Sequence, residues 1–224
     1  MMAPALIFDM DGTMVDSMPY HLKSWGVFAQ RHGLAIDLPD LMRRTTGRNG
    51  LECMRELFQR DLPDDEAWTL IHQKEAAYRE LFGPVFAEVP GFRAFAAQAM
   101  AQGLKVGVGT AGDRHNIEFV FSNLRMNPAP HAVVGGDEGL PGKPEPAIFL
   151  EAARRMGAQA AQCIVFEDAP FGIEAARRAG MRAVAVCTGH SAAELDVPHV
   201  MAHISDYHEL LNTDFLGKLH AAAA

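Results

Sequence analysis

Apolar residues along this chain follow two different periods. Leu6-Ile7-Phe8, Lys105 to Thr110, Ala132-Val133-Val134, Cys163-Ile164-Val165-Phe166, Arg182 to Cys187 and Met201 to Ile204 are short apolar runs that read as buried strands. Between them, from Pro90-Gly91 onward, the pattern is helical. Residues 92–102 end at Gly103, Asp113 to Leu124 form a second stretch, Pro146 to Met156 close at Gly157, and residues 170–179 end at Gly180. Strands alternating with helices predict an α/β fold, a doubly wound parallel sheet with right-handed crossovers.

One stretch breaks that alternation. From about Pro19 to Gly83 there is no convincing strand, only helical segments punctuated by Gly33, Pro39, Gly47, Gly50 and Pro63. Leu22, Trp25, Phe28 and Ala29 recur at helix spacing, as do Leu51, Met54, Leu57 and Phe58. Each such helix needs a partner for its apolar stripe, so a small all-helical domain is expected, spliced in after the first strand. The expected division is a core of residues 1–16 and 85–224 with a helical insert of residues 17–84. Trp25, Phe28 and Phe58 are assigned to the core of that insert, and Trp68 fits either its core or its surface.

Composition narrows the class. With 224 residues, 49% hydrophobic and 21% charged, the chain suits one large domain carrying a smaller insert. A net charge of −8 lacks the basic stripe that nucleic-acid binding needs. No apolar run reaches the roughly 18 residues that span a bilayer, so no membrane partner is expected. Met1-Met2-Ala3-Pro4 runs straight into the first strand, which leaves no room for a leader peptide. Cys53, Cys163 and Cys187 are odd in number and far apart, which suits reduced thiols and a cytoplasmic location. The tail His220-Ala221-Ala222-Ala223-Ala224 carries no readable signal.

Candidate chemistry collects at the strand ends. Asp9 and Asp11, in Phe8-Asp9-Met10-Asp11-Gly12-Thr13, follow the first strand, where open α/β sheets place their sites. In extended chain, residues i and i+2 project to the same side, and two like charges this close need a cation or a shared proton. Taken alone, the pair equally suits an Asx-turn after an edge strand. Three further strand ends decide between these. Thr110, in Val108-Gly109-Thr110-Ala111-Gly112, follows the second, Lys143 lies in Gly142-Lys143-Pro144 after the third, and Glu167-Asp168 follow the fourth. A nucleophile candidate, a hydroxyl, a cation and an acidic pair above one sheet suit phosphoryl transfer through an aspartyl-phosphate with a divalent metal.

These four motifs, in this order and across essentially the whole chain, resemble the haloacid dehalogenase superfamily. The insert resembles the small helical cap of β-phosphoglucomutase and related sugar-phosphate phosphatases. The resemblance implies a Rossmann-like core and assigns Asp9 as nucleophile and Asp11 as general acid/base. It gives Thr110, Ala111 and Lys143 to the phosphoryl group, and Mg²⁺ to Asp9, Asp11, Asp168 and Glu167. It also implies a monomer acting on a small phosphorylated metabolite. Mg²⁺ prefers hard oxygens, and its charge would let one carboxylate approach a phosphate. Asp9 is then expected to be metal-bound and ionised, and Asp11 to carry the mobile proton. Haloacid dehalogenases expel halide and lack the second Asp. A phosphate ester expels an alkoxide that needs a proton, so Asp11 argues for phosphate esters.

Substrate choice falls to the insert. His21 is expected to face the site beside Asp11 or to lie between domains. In Thr45-Thr46-Gly47-Arg48-Asn49-Gly50, Arg48 is a candidate grip for a second anionic group or for sugar hydroxyls, and Thr45 and Thr46 are specificity candidates. Gly172, Ala175, Ala176 and Ala179 on helix 170–179 read as a packing stripe. The expected activity is Mg²⁺-dependent hydrolysis of a sugar phosphate. The alternatives are a β-phosphoglucomutase and a non-catalytic phosphometabolite-binding module. Gly112 and Asp113 stand where β-phosphoglucomutases carry hydroxyl- and lysine-type residues, which weakens the mutase reading, and residues 152–186 resemble sugar-phosphate phosphatases.

Overall fold

The computed structural model describes residues 4–223. Met1, Met2, Ala3 and Ala224 lie outside the described residues, and the reading of Met1-Met2-Ala3-Pro4 falls largely on them. Six strands form one parallel sheet: β1 (Ala5–Phe8), β2 (Lys105–Gly109), β3 (Ala132–Val134), β4 (Cys163–Glu167), β5 (Arg182–Val186) and β6 (Val200–Ile204). Their order is β3-β2-β1-β4-β5-β6. The chain therefore winds outward from β1 in one direction, then restarts beside β1 with β4 and winds the other way. That reversal is the topological switch point, where such sheets open a crevice above the strand ends.

Successive side chains of a strand point to opposite faces, and here both faces are covered. Leu6, Phe8, Val106, Val108, Ile164, Phe166 and Val184 pack with Phe92, Phe95, Ala96 and Ala99 of α5 (Phe92–Ala101) and with Val120 and Leu124 of α6 (Arg114–Leu124). Ala5, Ile7, Val134, Cys163, Val165 and Ala183 pack on the other face with Phe149, Ala152 and Met156 of α7 (Ala147–Met156). Ala175 and Ala176 of α8 (Pro170–Arg178) complete that layer. The strands and helices after residue 90 fall where the apolar periods put them, within a residue or two. A last helix (Phe215–Ala223) extends into the tail that carried no signal in the sequence.

Four helices stand between β1 and α5: α1 (Met18–His32), α2 (Leu38–Thr45), α3 (Gly50–Phe58) and α4 (Asp64–Phe82). They enclose a separate apolar core of Trp25, Phe28, Leu41, Met54, Leu62 and Ile71, with Phe58 and Trp68 partly buried against it. This helical layer sits over the strand ends. Gly47, with φ +89, brings the α2–α3 turn down onto Ala169 and Phe171 at the start of α8; a Cβ added there would lie 3.8 and 3.6 Å from theirs. Among the described residues, no helix is long and apolar enough to cross a membrane.

Candidate active site

Register sets the height of the site. Phe8 pairs with Val108 on one side and Phe166 on the other, so Asp9, Gly109 and Glu167 leave the sheet at one level. The Asp9 N–H still donates to Phe166 O at 2.9 Å, and the Thr110 N–H to Val134 O at 3.0 Å. The Thr110 side-chain oxygen accepts from the Gly112 N–H at 3.0 Å, which turns the loop up toward α6. Gly12 follows with φ +78, and a Cβ there would fall 2.2 Å from Asp168 Oδ2. Glycine is required at this position both by its backbone angle and by the carboxylate it passes.

Asp9, Thr110, Lys143, Glu167 and Asp168 are all buried and meet above β1 and β4. Lys143 Nζ donates to Asp9 Oδ1 at 2.5 Å and to Glu167 Oε2 at 2.7 Å, and it lies 4.9 Å from the Phe149 ring centre. Glu167 Oε1 accepts from the Ala169 N–H at 3.1 Å. Asp9, Glu167 and Asp168 each offer a carboxylate oxygen within 4.8 Å of the others. Three carboxylates thus face one ammonium. Burial pushes Asp9 up to about 8 despite Lys143, with Glu167 adding to the rise. Burial and the charges of Glu167 and Asp9 also hold Asp168 well above the carboxylate range. Asp168 Oδ2 is buried with no hydrogen-bond partner. An orphaned carboxylate oxygen beside two acidic neighbours, all hard oxygen donors, fits a divalent cation such as Mg²⁺.

The Asp11 carboxylate turns away from this trio. Its Oδ1 accepts from Ser17 Oγ at 2.7 Å and from Tyr78 OH at 3.0 Å, and His21 Nε2 lies 3.1 Å away. The side chain expected among the metal ligands is thus engaged by the helical layer instead. Burial alone would raise its pKa, but His21 and the two hydroxyls outweigh it and bring Asp11 down to about 2. The protein's own charges therefore reverse the expected ranking of the pair. A second positive charge beside Asp9 would favour its ionised form.

His21 stacks flat on Tyr78, centroids 3.8 Å apart, and its Nδ1 lies 2.7 Å from Lys74 Nζ. An ammonium only donates, so Nδ1 accepts and the ring proton sits on Nε2, the nitrogen nearer Asp11. Lys74 is itself buried, donates to Glu75 at 2.9 Å and lies under the Trp25 ring. Of the other expected residues, Thr46 and Arg48 line the cleft with Ala111. The Thr45 and Thr46 hydroxyls donate back to Leu41 O and Met42 O. Asn49 caps α3 by accepting from the Glu52 N–H, which fixes the turn that carries Arg48. The Arg48 guanidinium lies 5.0 Å over Phe171 and 3.9 Å from Glu56. Together these residues bound a cleft that is partly open to solvent.

Several site residues gave no signal in the sequence. Lys74, Glu75 and Tyr78 are ordinary α4 residues until α4 packs over the strand ends. Gly172 looked like packing alone, yet a Cβ there would meet the Glu167 carboxyl at 2.0 Å, so it makes room for that side chain.

Comparison with known proteins gives concordant results. The family model described as a haloacid dehalogenase-like hydrolase matches residues 3–180. The fructose-1-phosphate phosphatase YqaB of Escherichia coli (strain K12) is 34% identical over 181 residues, 81% of this chain and 95% of that protein. The β-phosphoglucomutase of Bacillus subtilis (strain 168) is 31% identical over 195 residues, 83% of this chain and 84% of that one. The crystal structure of a β-phosphoglucomutase from Clostridium difficile superposes with a TM-score of 0.83 at 22% identity, covering 99% of both chains, a likeness of fold.

Proposed function

The chain belongs to the haloacid dehalogenase-like hydrolase family, and we propose that it is a Mg²⁺-dependent phosphatase of a small phosphorylated metabolite, most simply a sugar monophosphate. The observation that carries this reading is the division of the two carboxylates. Asp9 lies in the overcharged cluster with Lys143, while Asp11, two residues on, is oriented by Ser17, His21 and Tyr78. This division supports assigning attack to the first and proton movement to the second.

Asp9 attacks phosphorus and forms an acyl phosphate on its own oxygen as the bond from phosphorus to the departing alcohol oxygen breaks. Thr110, the backbone at Ala111 and Lys143 hold the non-bridging oxygens of the transferring group. Asp11 gives a proton to the departing alkoxide and then takes one from the water that cleaves the aspartyl-phosphate. Asp9 and Asp168 are the side chains proposed to hold Mg²⁺, whose bound charge would offset that of nucleophile and phosphate. Glu167 has both oxygens already accepting, from Lys143 and from the Ala169 N–H, and its proposed duty is to aim Lys143. The helical layer acts as the cap that closes over substrate.

Hydrolysis is favoured over mutase chemistry by the charges around the cleft. A mutase must hold a second phosphate. Lys74 is engaged by Glu75, Arg48 lies near Glu56 and Phe171, and Asp113 adds a carboxylate at the head of α6, where it caps the helix. The relatives named fructose-1-phosphate phosphatase and hexitol phosphatase A are in keeping with this. The test is phosphate release from p-nitrophenyl phosphate and a panel of sugar phosphates with Mg²⁺. Turnover should fall by at least about 10⁴-fold in Asp9→Asn, and β-glucose 1-phosphate should give glucose and phosphate. Undiminished turnover in Asp9→Asn would sink the mechanism, and accumulation of glucose 6-phosphate would transfer the assignment to a mutase.

A further inference from the structure

Asn116 belongs to the core, yet its side chain is held by the cap. It lies in the first turn of α6, just after the Thr110 loop, is 1% exposed and borders the cleft. Its Nδ2 donates to Glu75 Oε2 at 2.7 Å, and its Oδ1 accepts from Arg79 at 2.7 Å. Glu75 and Arg79 stand one turn apart on α4. A guanidinium only donates and a carboxylate only accepts, so the charges on α4 fix which way the amide faces. Each end of the amide thereby has a charged partner on α4.

The contacts continue from Glu75 toward the reacting groups. Glu75 Oε1 accepts from Lys74 Nζ at 2.9 Å, Lys74 Nζ lies 2.7 Å from His21 Nδ1, and His21 Nε2 lies 3.1 Å from Asp11. This polar line begins on one core residue, Asn116, crosses the cap and ends on another, Asp11. Withdrawing α4 from α6 would have to rehydrate the amide, the carboxylate and the guanidinium together, so the contact is made or lost as a unit.

We propose that the Asn116 amide, clamped between Glu75 and Arg79, is the latch that holds the cap shut and sets His21 against Asp11. Asn116 is thus a positioning residue, acting through Glu75 and Lys74. The inference rests on Asp11 being the acid/base of phosphate-ester hydrolysis.

Asn116→Asp tests it, because the shape is kept while the donor to Glu75 becomes a second carboxylate. With Mg²⁺ and p-nitrophenyl phosphate, kcat should fall about tenfold, the worth of one charge-assisted hydrogen bond. Amide hydrogen exchange across residues 64–82 should rise by a similar factor. Glu75→Gln combined with Asn116→Asp exchanges the carboxylate and the amide, and should recover most of both losses. Arg79→Ala, which leaves Asn116 whole, should show a smaller loss of the same kind. A role in filling space alone predicts wild-type behaviour for the isosteric Asn116→Asp, and wild-type kcat and exchange in it would overturn the latch. A double variant as impaired as Asn116→Asp would overturn it too. If the wild-type protein hydrolyses no phosphate ester, the functional reading fails, while the exchange measurements still decide whether the latch exists.

Discussion

Two lysines are buried in this protein, 2% and 3% exposed, and their surroundings differ in kind. Lys143, in the core, donates to Asp9 and Glu167 with Asp168 close by, so three carboxylates share one ammonium. Burial alone would lower its pKa, but Asp9 and Glu167 hold it above the usual lysine value. Lys74, in the cap, has a single carboxylate partner in Glu75, a neutral acceptor in His21 Nδ1, and the rings of Trp25 and Tyr78 around it. The core side is short of positive charge, while the cap side is balanced. On the proposed mechanism, a site that receives a cation and a phosphate is incomplete by itself, whereas the group that orients the acid/base is assembled before substrate arrives.

The sharpest test of that contrast removes each lysine in turn. Lys143→Ala leaves three buried carboxylates with no counter-charge and takes away a direct contact to the phosphoryl group. It should lower kcat/KM by about 10²–10³-fold and, with EDTA present, destabilise the fold by roughly 3–5 kcal/mol. Lys74→Met keeps the buried volume with an unbranched chain, and should lower kcat by about tenfold through His21, the worth of one charge-assisted hydrogen bond. Steady-state kinetics and denaturant melts of both variants decide it. If Lys74→Met proves as damaging as Lys143→Ala, the two lysines do the same work and the contrast is wrong.

The same contrast explains what could be read from the sequence. The core cluster was legible because Asp9, Thr110 and Glu167-Asp168 sit at the ends of short apolar runs, with Lys143 in the loop after another, and the parallel register brings those ends to one level without side-chain detail. Asp9, Thr110, Lys143 and Glu167-Asp168 needed only the strand order. The cap network was not legible, because Lys74, Glu75, Tyr78 and Arg79 acquire meaning only from how α4 is rotated and docked. Nothing in Gln73-Lys74-Glu75-Ala76-Ala77-Tyr78-Arg79 separates a buried lysine from a solvated one. Gly172 was misjudged for a related reason. Its spacing with Ala175, Ala176 and Ala179 announces close packing, but the object it makes room for is a side chain, the Glu167 carboxyl at the end of β4.

Gly172 also offers a finer test. Alanine there places a Cβ 2.0 Å from the Glu167 carboxyl carbon, so Glu167 must move and carry Lys143 with it. Apparent Mg²⁺ affinity, read from activation of turnover, should weaken by about 10–100-fold, the usual effect of disturbing a group that supports a metal site. Gly50, in the cap, is the control. A Cβ there meets only the side chain of Ile71, at 3.0 Å, and Ile71 can give way. Gly50→Ala should leave the Mg²⁺ dependence at its wild-type value. Equal shifts in the two variants would mean that cap and core are not separable with respect to the metal.

The smallest expected effect is one of stability, and its sign follows from the two aspartates. Asp9 is raised from an ordinary carboxylate value to about 8, so between pH 4 and 8 the folded chain holds a proton that the unfolded chain has released. Stability without a divalent cation should therefore fall as pH rises through this window, by up to about 1.4 kcal/mol per pH unit for that one group. Asp168, raised by the same burial, acts in the same direction. Asp11, lowered to about 2, contributes stability that is fully present above pH 4 and is lost only as pH falls toward 2, so it adds no slope here. A bound cation replaces the proton at Asp9. The difference in melting temperature between Mg²⁺ and EDTA should then widen by several degrees from pH 6 to pH 8, since about 1 kcal/mol corresponds to 2–4 °C in a chain of this size. Asp9→Asn, which cannot titrate, should remove most of the widening, whereas Tyr78→Phe on the cap side should leave it intact. A gap that stays constant with pH in the wild type would show that the core carboxylates are already ionised without a metal. The charge shortage that distinguishes Lys143 from Lys74 would then have no energetic consequence.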